Sequence, residues 1–165
     1  MPRLISIAVT LVFLLAFLPC AALALEKGSE FPMVAGYTLD GERYPLRQLR
    51  GEPILLKVGT TWCPTCGEQA QEVEKIRDFL RDNNIHYVDV FVRQKAKAVK
   101  KHFNNHDQTP DVILLDRGAI AKMLNVYLIP RLVLINSDFT VHRDGQPLFA
   151  EDLKSELQAM LDKSD

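Results

Sequence analysis

The sequence predicts an α/β fold in which helices cover a mixed sheet. Short apolar runs typical of strands alternate with longer amphipathic runs, and turn signals near both ends of the chain each separate two strand-like runs. With 165 residues and 47% hydrophobic content, the chain can bury a sizeable core. Neither a Gly/Ser linker nor a repeat divides it, so we expect one domain.

The predicted strands are short. Asp40-Gly41 favours a tight hairpin turn between the first two strands, and Asn136-Ser137-Asp138 separates the last two. Ile54–Val58 is mostly apolar, as in a central strand buried on both faces. The seven predicted strands are Val34–Leu39, Arg43–Leu46, Ile54–Val58, His86–Val92, Val112–Leu115, Arg131–Ile135 and Phe139–His142, with a short turn over Leu46–Leu49.

Apolar residues at helical spacing predict four helices. Pro64 is acceptable in the first turn of the first helix, and Asn83-Asn84 ends it. The inner face of that helix is formed by Ala70, Val73, Ile76 and Leu80. The predicted helices are Pro64 to about Asn83, Lys95 to about His106, Ala119–Asn125 and Ala150–Leu161.

The first 25 residues have the pattern of an export signal. Arg3 precedes an apolar run, and Ala22-Leu23-Ala24 offers the small residues that a signal peptidase needs. We predict a signal peptide over 1–24 and a mature domain over 25–165 that lies outside the cytoplasm, in the periplasm. An uncleaved membrane anchor stays open as the alternative, because Leu4–Leu25 carries no charge and can cross a bilayer of roughly 30 Å.

The charge balance gives no indication that the chain binds nucleic acid or an anionic membrane. It is compatible with any protein partner. The chain carries 20 Lys and Arg residues against 21 Asp and Glu residues, a net charge of −1. Its densest basic run, Arg93–Lys101, is interleaved with apolar residues at helical spacing. We interpret this run as the solvated face of a helix, with docking to an acidic partner as the alternative.

Cys63 and Cys66 are one helical turn apart at the predicted start of the first helix. The unpaired N–H groups and the positive end of the helix dipole favour the thiolate of the first cysteine. Cys63 is therefore the predicted attacking sulfur, and Cys66 is placed to resolve the mixed disulfide. A disulfide between them closes too short a loop to act mainly as a structural staple.

Other uses of this spacing lack the residues they need. Gly67 stands where haem attachment requires His, and no second Cys-x-x-Cys completes a zinc site. We interpret His102 and His106 as a solvated helix face, so neither a metal nor an organic cofactor is expected. Thr60, three residues before the first cysteine, resembles the threonine of a peroxiredoxin-type peroxidase. That pattern has a proline four residues before the threonine, where this chain has Leu56.

Pro130 is predicted to lie beside the dithiol. It stands between Ile129 and the strand that begins at Arg131, a corner at which a cis X-Pro bond is a recurring device. Such a bond would turn the backbone of Ile129 towards Cys63, where an extended substrate segment could pair with it. The alternative is an ordinary trans proline at the start of an edge strand.

These motifs resemble the thioredoxin fold, in which Trp62-Cys63-Pro64-Thr65-Cys66 would follow a central strand and Ile129-Pro130 would precede a hairpin and a last helix. The closer resemblance is to the exported TlpA/ResA-type branch, which includes reductases that serve cytochrome c maturation. It rests on Glu30-Phe31-Pro32, Leu39-Asp40-Gly41, the lead-in Leu49–Leu56, and the helix and strand inserted before Val126–Pro130.

The resemblance implies a three-layer sandwich with a mixed central sheet, an N-terminal hairpin and an inserted helix-strand. It implies a monomer that uses no cofactor, acts on protein disulfides, with apocytochrome c as one candidate, and is re-reduced by a membrane dithiol electron donor. The implied nucleophile is Cys63, the resolving thiol Cys66 and the cis-proline Pro130. The implied substrate-contacting residues are Trp62, Pro64, Thr65, Ile129 and Arg131.

Two positions depart from the family pattern. Lys57 replaces the buried acid that thioredoxins usually place six residues before the first cysteine. If it points under the dithiol, it could stabilise thiolates as a cation or act as a base for Cys66 when neutral; otherwise strand alternation turns it to the far face. Arg131 stands where a small polar residue is usual, and either selects acidic groups on a partner or faces solvent.

We predict an extracytoplasmic thiol:disulfide oxidoreductase that reduces protein disulfides through Cys63 and Cys66. One alternative is the same chemistry in the opposite direction, as an oxidant or isomerase that donates disulfides. Another is a binding or chaperone module that keeps the fold without turnover. The sequence leaves the substrate unidentified.

Overall fold

The computed structural model describes residues 24–106, 108 and 110–162. Apart from Ala24, the predicted signal peptide lies outside these described residues, and so does Cys20. Within the part of the chain that is described, no helix is both long enough and apolar enough to cross a membrane.

Seven strands form one mixed sheet. They are β1 (Ala35–Tyr37), β2 (Arg43–Pro45), β3 (Ile54–Gly59), β4 (His86–Val92), β5 (Val112–Asp116), β6 (Arg131–Ile135) and β7 (Val141–Gly145). The spatial order is β2-β1-β5-β4-β3-β6-β7. β3 pairs in parallel with β4 on one side and antiparallel with β6 on the other, so the strand that leads to the cysteines is internal to the sheet.

Helices cover both faces of this sheet. They are α1 (Pro64–Glu74), α2 (Arg77–Asp82), α3 (Ala96–Phe103), α4 (Ala119–Met123) and α5 (Ala150–Leu161). Side chains of β3 point alternately to the two faces of the sheet, so they pack against both helix layers. Leu55 packs with Val73 of α1 and Leu157 of α5, whereas Leu56 packs with Ile120 of α4 on the other face. The three-layer α/β sandwich and the mixed sheet predicted from the sequence are therefore confirmed.

The loop before α5 is fastened to the middle of α1. The Gln69 side chain donates to the Leu148 carbonyl at 3.1 Å and accepts from the Leu148 N–H at 2.8 Å. One turn later, a Glu72 carboxylate oxygen accepts from the Ala150 N–H at 2.9 Å. Three hydrogen bonds therefore join α1 to the start of α5 across the sequence.

Most predicted elements are present, including both hairpins and the last helix, which has the predicted bounds. The predicted first helix, however, is broken between α1 and α2. Ile76 leaves the helical region with φ −110° and ψ 17°, and its N–H bonds to the carbonyl of Val73, one residue nearer than in an α-helix. The predicted inner face is nevertheless buried throughout, since Ala70, Val73, Ile76 and Leu80 all lie in the core.

The last strand begins two residues later than predicted. The turn before it extends over 136–140, because the Asn136 N–H donates to the Thr140 carbonyl and Phe139 adopts a positive φ of 72°. The Asn136 side chain also donates to the Thr140 hydroxyl at 2.8 Å. These turn contacts occupy the residues that would otherwise have opened the strand.

Candidate active site around Cys63 and Cys66

β3 and α1 place the two cysteines just beyond the carboxyl end of β3, an internal strand of the sheet. β3 ends at Gly59, and α1 begins at Pro64, which occupies the first helical turn where a missing N–H is tolerated. Cys63 is the N-cap residue of α1, with extended backbone at φ −88° and ψ 112°. Its Sγ accepts a hydrogen bond from the Cys66 N–H at 3.2 Å, and it lies 3.4 Å from the Thr65 hydroxyl.

A disulfide joins Cys63 and Cys66, whose Cα atoms are 5.2 Å apart. Cys63 is 8% exposed and Cys66 only 1%. The first cysteine is therefore the more accessible of the two, while the second lies inside against the end of β3. This asymmetry matches the predicted roles of an attacking and a resolving cysteine, which stay predictions.

Gly59 lets Cys66 pack directly on the end of β3. An added Cβ at Gly59 would lie 3.0 Å from the Cys66 Sγ and 3.2 Å from its Cβ, closer than side chains normally approach. Gly67, in the first half of α1, has nothing within 4 Å of its corresponding position. The two glycines therefore provide a matched pair for testing the contact.

Gly59→Ala is expected to lower the free energy of unfolding by about 1–3 kcal/mol, because the new methyl group overpacks the site beneath Cys66. Gly67→Ala should instead be neutral or raise it by roughly 0.5–1 kcal/mol, since alanine restricts the unfolded chain and fits a helix. Denaturant unfolding of the oxidised proteins measures both. Equal effects at the two positions would contradict the proposed tight contact.

The loop between β3 and Cys63 is held by Gln94, which follows β4. The side-chain oxygen of Gln94, Oε1, accepts from the Thr61 N–H at 2.8 Å, and its side-chain nitrogen, Nε2, donates to the Thr61 hydroxyl at 2.8 Å. The residue two positions before the first cysteine is thereby fixed by a pair of reciprocal bonds. Trp62 next to it projects outward and is 73% exposed.

Lys57 lies beneath the dithiol in a buried ion pair. The parallel register places it opposite Asp89 of β4, and its Nζ is 3.0 Å from an Asp89 carboxylate oxygen. The same Nζ is 3.5 Å from the Cys66 carbonyl oxygen and stands over the Phe91 ring at 5.6 Å from its centroid. The alternative in which Lys57 turns away from the dithiol is therefore wrong.

Asp89 is a buried acid with acceptor capacity left over. Burial raises the pKa of its carboxyl, and the neighbouring Lys57 ammonium offsets this only in part. Burial also raises the pKa of Tyr87 well above its ordinary value, with the Asp89 charge as the next cause. Within the described structure, both Asp89 oxygens and the Tyr87 hydroxyl lack a hydrogen bond of good geometry.

The Ile129–Pro130 peptide bond is cis. Arg131 pairs with Val58 in the antiparallel ladder, so the next step of the register brings Pro130 level with Gly59, against which Cys66 packs. Pro130 is buried and Ile129 half-buried, whereas Tyr127 and Leu128 before them are 82% and 69% exposed. An exposed apolar segment thus precedes the proline.

Arg131 is held inside the protein rather than facing solvent. Its Nε donates to Asp144 of β7 at 2.6 Å, a second guanidinium nitrogen bonds the other Asp144 oxygen, and a third donates to the Asn125 carbonyl at 3.0 Å. The Asp144 side chain is fully buried and that of Arg131 only 12% exposed. The expectation of a solvent-facing arginine is wrong, because the chain itself supplies the acid that Arg131 binds.

Sequence reasoning missed three side chains of this site: Asp89, Gln94 and Asp144. Asp89 carries a visible signal, since it is the one charged residue in the otherwise apolar run Tyr87–Val92. Gln94 and Asp144 carry none, because their partners are fixed by loop positions and by strand pairing. In the described part of the chain, no group of three or more His, Cys, Asp or Glu side chains is arranged to hold a metal ion.

Comparison with known proteins gives one family and a consistent set of relatives. The family model described as Redoxin matches residues 26–161. Sporulation thiol-disulfide oxidoreductase A of Bacillus subtilis is 27% identical over 157 residues, which cover 92% of this chain and 94% of the relative. Thiol-disulfide oxidoreductase ResA of Bacillus thuringiensis is 24% identical over 139 residues, which cover 84% of this chain and 79% of the relative.

A solved structure shares the fold. The crystal structure of a thiol:disulfide interchange protein of the thioredoxin family from Chlorobium tepidum aligns with a TM-score of 0.69 at 18% sequence identity. The alignment covers 84% of this chain and 99% of that chain. The predicted thioredoxin-like fold is therefore confirmed.

Proposed function

The chain belongs to the Redoxin family, and from this membership we propose that it is an exported thiol-disulfide oxidoreductase that reduces protein disulfides. Thiol-disulfide exchange itself is supported by relatives named as thiol-disulfide oxidoreductases and by a Cys-x-x-Cys pair joined as a disulfide. The reductive direction, the location outside the cytoplasm and the substrate are the parts that we propose.

The observation that carries the proposal is the position of Cys63 at the N-cap of α1. Its Sγ already accepts the Cys66 N–H at 3.2 Å and lies at the positive end of the helix. The same contacts would stabilise a thiolate once the disulfide is reduced, and the thiolate is the nucleophile in disulfide exchange. Cys63 is also the more exposed of the two sulfurs.

In the reductive direction, the Cys63 thiolate attacks one sulfur of a substrate disulfide. A bond forms between Cys63 and that sulfur, and the substrate's other sulfur leaves as a thiolate. Cys66 then loses its proton and attacks Cys63, which releases the second substrate thiolate and forms the Cys63–Cys66 disulfide. Two electrons pass to the substrate, whose two sulfurs take up protons, and the described structure corresponds to the oxidised enzyme.

We propose that the Lys57–Asp89 pair receives the proton that Cys66 loses. Cys66 is 1% exposed, so its proton requires a buried acceptor or an opening to solvent. The pair lies directly below it, with Nζ 3.5 Å from the Cys66 carbonyl oxygen and an Asp89 carboxylate that has acceptor positions left. Proton transfer to Asp89 is favoured by burial, which raises the pKa of its carboxyl.

An extended substrate segment is proposed to bind between Trp62 and the loop before Pro130. Trp62, Tyr127 and Leu128 are large apolar side chains left exposed near the ends of β3 and β6. Exposed apolar patches on a soluble domain are typical of binding surfaces. Pro64, Thr65 and the Ile129 backbone are the further contacts we propose, whereas Arg131 is engaged with Asp144 and contributes by supporting the loop.

The proposed location follows from the N-terminal pattern: an exported chain, cleaved after Ala24 or anchored by its first segment. In an oxidising compartment a reductant must be regenerated, so we propose a membrane carrier with its own dithiol as the electron donor. Apocytochrome c is one candidate substrate of such a reductase. Fractionation of cells that express the full chain, with a cytoplasmic and a periplasmic marker, checks the location.

The direction is tested by the reduction potential of the Cys63–Cys66 pair, titrated against glutathione or dithiothreitol with Cys63→Ser as the blank. A reductant is expected near or below about −250 mV, towards the thioredoxin end of the scale. A value near about −120 mV would make the protein an oxidant instead. Substrate handling that survives in the Cys63→Ser, Cys66→Ser double variant would indicate a binding module rather than an enzyme.

A further inference from the structure

The backbone nitrogen of Leu25 is bonded to a buried carboxylate. It donates to an Asp144 oxygen at 2.6 Å, although the two residues are 119 positions apart in the chain. Asp144 is the same fully buried side chain that binds Arg131 through both of its oxygens. Ala24, the residue before Leu25, lines a cavity of about 210 Å³ together with Pro130, Arg131 and Asp144.

This nitrogen belongs to the bond that the export signal marks for cleavage. Ala22-Leu23-Ala24 places the cut between Ala24 and Leu25, and hydrolysis there converts an amide N–H into a free α-amino group. We propose that the α-ammonium group of a mature chain beginning at Leu25 forms an ion pair with Asp144, so that signal removal completes the support of the cis-proline loop. The proposal rests on the export proposed above.

The donors around Asp144 fit this chemistry. Arg131 donates once to each carboxylate oxygen, and Leu25 donates to the oxygen Oδ2, which has a second acceptor position available. The acceptor of that bond is already ionised, so an ammonium in place of the amide adds a second charge and turns the contact into an ion pair. Leu25 is half-buried, so the remaining two ammonium hydrogens can face solvent.

Other charges near this nitrogen act in both directions. Arg131 of β6 opposes a second cation, whereas Asp144 of β7 favours it, and Asp144 is the charge in direct contact. Tyr127 lines the same cavity from the loop, and Glu26 and Lys27 follow Leu25 on its own segment. These groups stay the same when the chain is lengthened at its N-terminus, which makes the ion pair measurable by difference.

The ion pair between Leu25 and Asp144 links removal of the signal peptide to the cis-proline loop, because Asp144 also binds Arg131. Asp144 binds Arg131, the residue after Pro130, and Arg131 in turn bonds the carbonyl of Asn125 at 3.0 Å. The segment that carries Tyr127, Leu128 and the cis bond is therefore closed at both ends by a guanidinium whose position depends on Asp144. Removing the leader adds a second cation that orders the same carboxylate.

The test begins with the exported protein produced from the full chain. Intact mass and N-terminal sequencing are expected to give Leu25 as the first residue. A comparison chain carries Gly-Ser inserted between Ala24 and Leu25, so that processing after Ala24 leaves the α-amino group two residues away from Asp144. Both chains keep Lys57, Asp89 and the dithiol unchanged.

The readout is the equilibrium constant for unfolding as a function of pH. A free α-amino group has a pKa near about 7.7–8.0 in an unfolded chain, and pairing with a carboxylate raises it. The extra stability is present in full below that value and is lost as the pH rises through the higher folded pKa. Relative to the inserted chain, the unfolding constant of the Leu25 chain is therefore expected to rise about tenfold between roughly pH 7 and pH 10.

Asp144→Asn, made in both the Leu25 chain and the inserted chain, completes a double-mutant cycle. In that background the Leu25 and inserted chains should have the same pH profile, because the partner charge is absent. If this variant does not fold, the comparison of the two chains with Asp144 intact still decides the matter. An N-terminus other than Leu25, or parallel profiles for those two chains, would overturn the ion pair.

Disulfide exchange measured on the same samples separates this inference from the proposed function. A chain that begins at Leu25 and shows the difference in pH profile, yet exchanges no disulfides, supports the ion pair and overturns the function. A chain that exchanges disulfides with parallel profiles supports the function and overturns the ion pair.

Discussion

Cys66→Ser is expected to stop turnover and to trap the protein as a mixed disulfide between Cys63 and its substrate. Cys63, the more accessible of the two cysteines, can still attack, but the buried sulfur that would resolve the adduct is gone. Turnover in a disulfide-reduction assay should fall by at least about 10³-fold, as when an essential nucleophile is removed. Non-reducing electrophoresis and mass spectrometry of the adduct measure the outcome and identify the captured partner.

Cys63→Ser is the matched control, since it removes a sulfur one turn away and leaves the other in place. It should be equally inactive and form no adduct, because Cys66 is 1% exposed and is packed against Gly59. Adducts through Cys66, or turnover in either single variant, would contradict the assigned order of attack. Captured apocytochrome c would in addition support the proposed role in cytochrome maturation.

Lys57→Met is expected to lower the free energy of unfolding at pH 7 by about 3–5 kcal/mol, because it leaves the buried Asp89 carboxylate without its partner. Methionine fills a similar volume, so the loss reports the charge rather than a cavity. Replacing both residues, Lys57→Met with Asp89→Leu, should restore most of the stability, since a buried pair can be exchanged for apolar side chains at little cost. Denaturant unfolding of the three proteins measures the coupling.

The pH dependence of this variant has a definite sign. The pKa of Asp89 is already raised by burial, so the folded protein binds that proton more tightly than the unfolded chain. The stability from a protonated Asp89 is present in full below about pH 3.9, the ordinary value, and is lost as the pH rises through the raised folded pKa. Without Lys57 the pKa rises further.

The Lys57→Met variant should therefore recover stability relative to the native protein as the pH is lowered from 7 towards 4. A constant difference across that range would contradict the unpaired carboxylate as the cause. In the reduced protein, the same variant tests the catalytic proposal, because the pH profile of Cys66 reactivity should move when its proton acceptor is altered. An unchanged profile would remove Lys57 and Asp89 from the mechanism.

The parts of the fold that depend on local signals could be predicted from the sequence. The first hairpin follows from Asp40-Gly41, and the position of Cys63 at a helix start follows from a strand-like run that leads into Cys63-Pro64. The predicted bounds of Ala150–Leu161 also hold, because its apolar spacing is regular from end to end. In each case the deciding residues lie within one turn or one strand of each other.

The parts that depend on pairing between strands could not be predicted. The sequence does not decide whether Lys57 points under the dithiol, because the answer depends on the register that sets it opposite Asp89. The partner of Arg131 comes from β7, in a hairpin whose turn is longer than the sequence indicates. The break at Ile76 likewise leaves the buried face intact, so the periodicity of the apolar residues carries no sign of it.

The hydrogen bonds from Gln69 and Glu72 to the start of α5 have a consequence for how the protein changes when it is reduced. They fix α1 from its second turn onward, whereas the first turn holds the disulfide and contacts β3 through Lys57 and Gly59. Breaking the sulfur–sulfur bond therefore adds conformational freedom only to the first turn of α1. The rest of the helix stays as ordered as before. Amides of the first turn of α1 should change their hydrogen-exchange rates between redox states, and those after Gln69 should keep theirs.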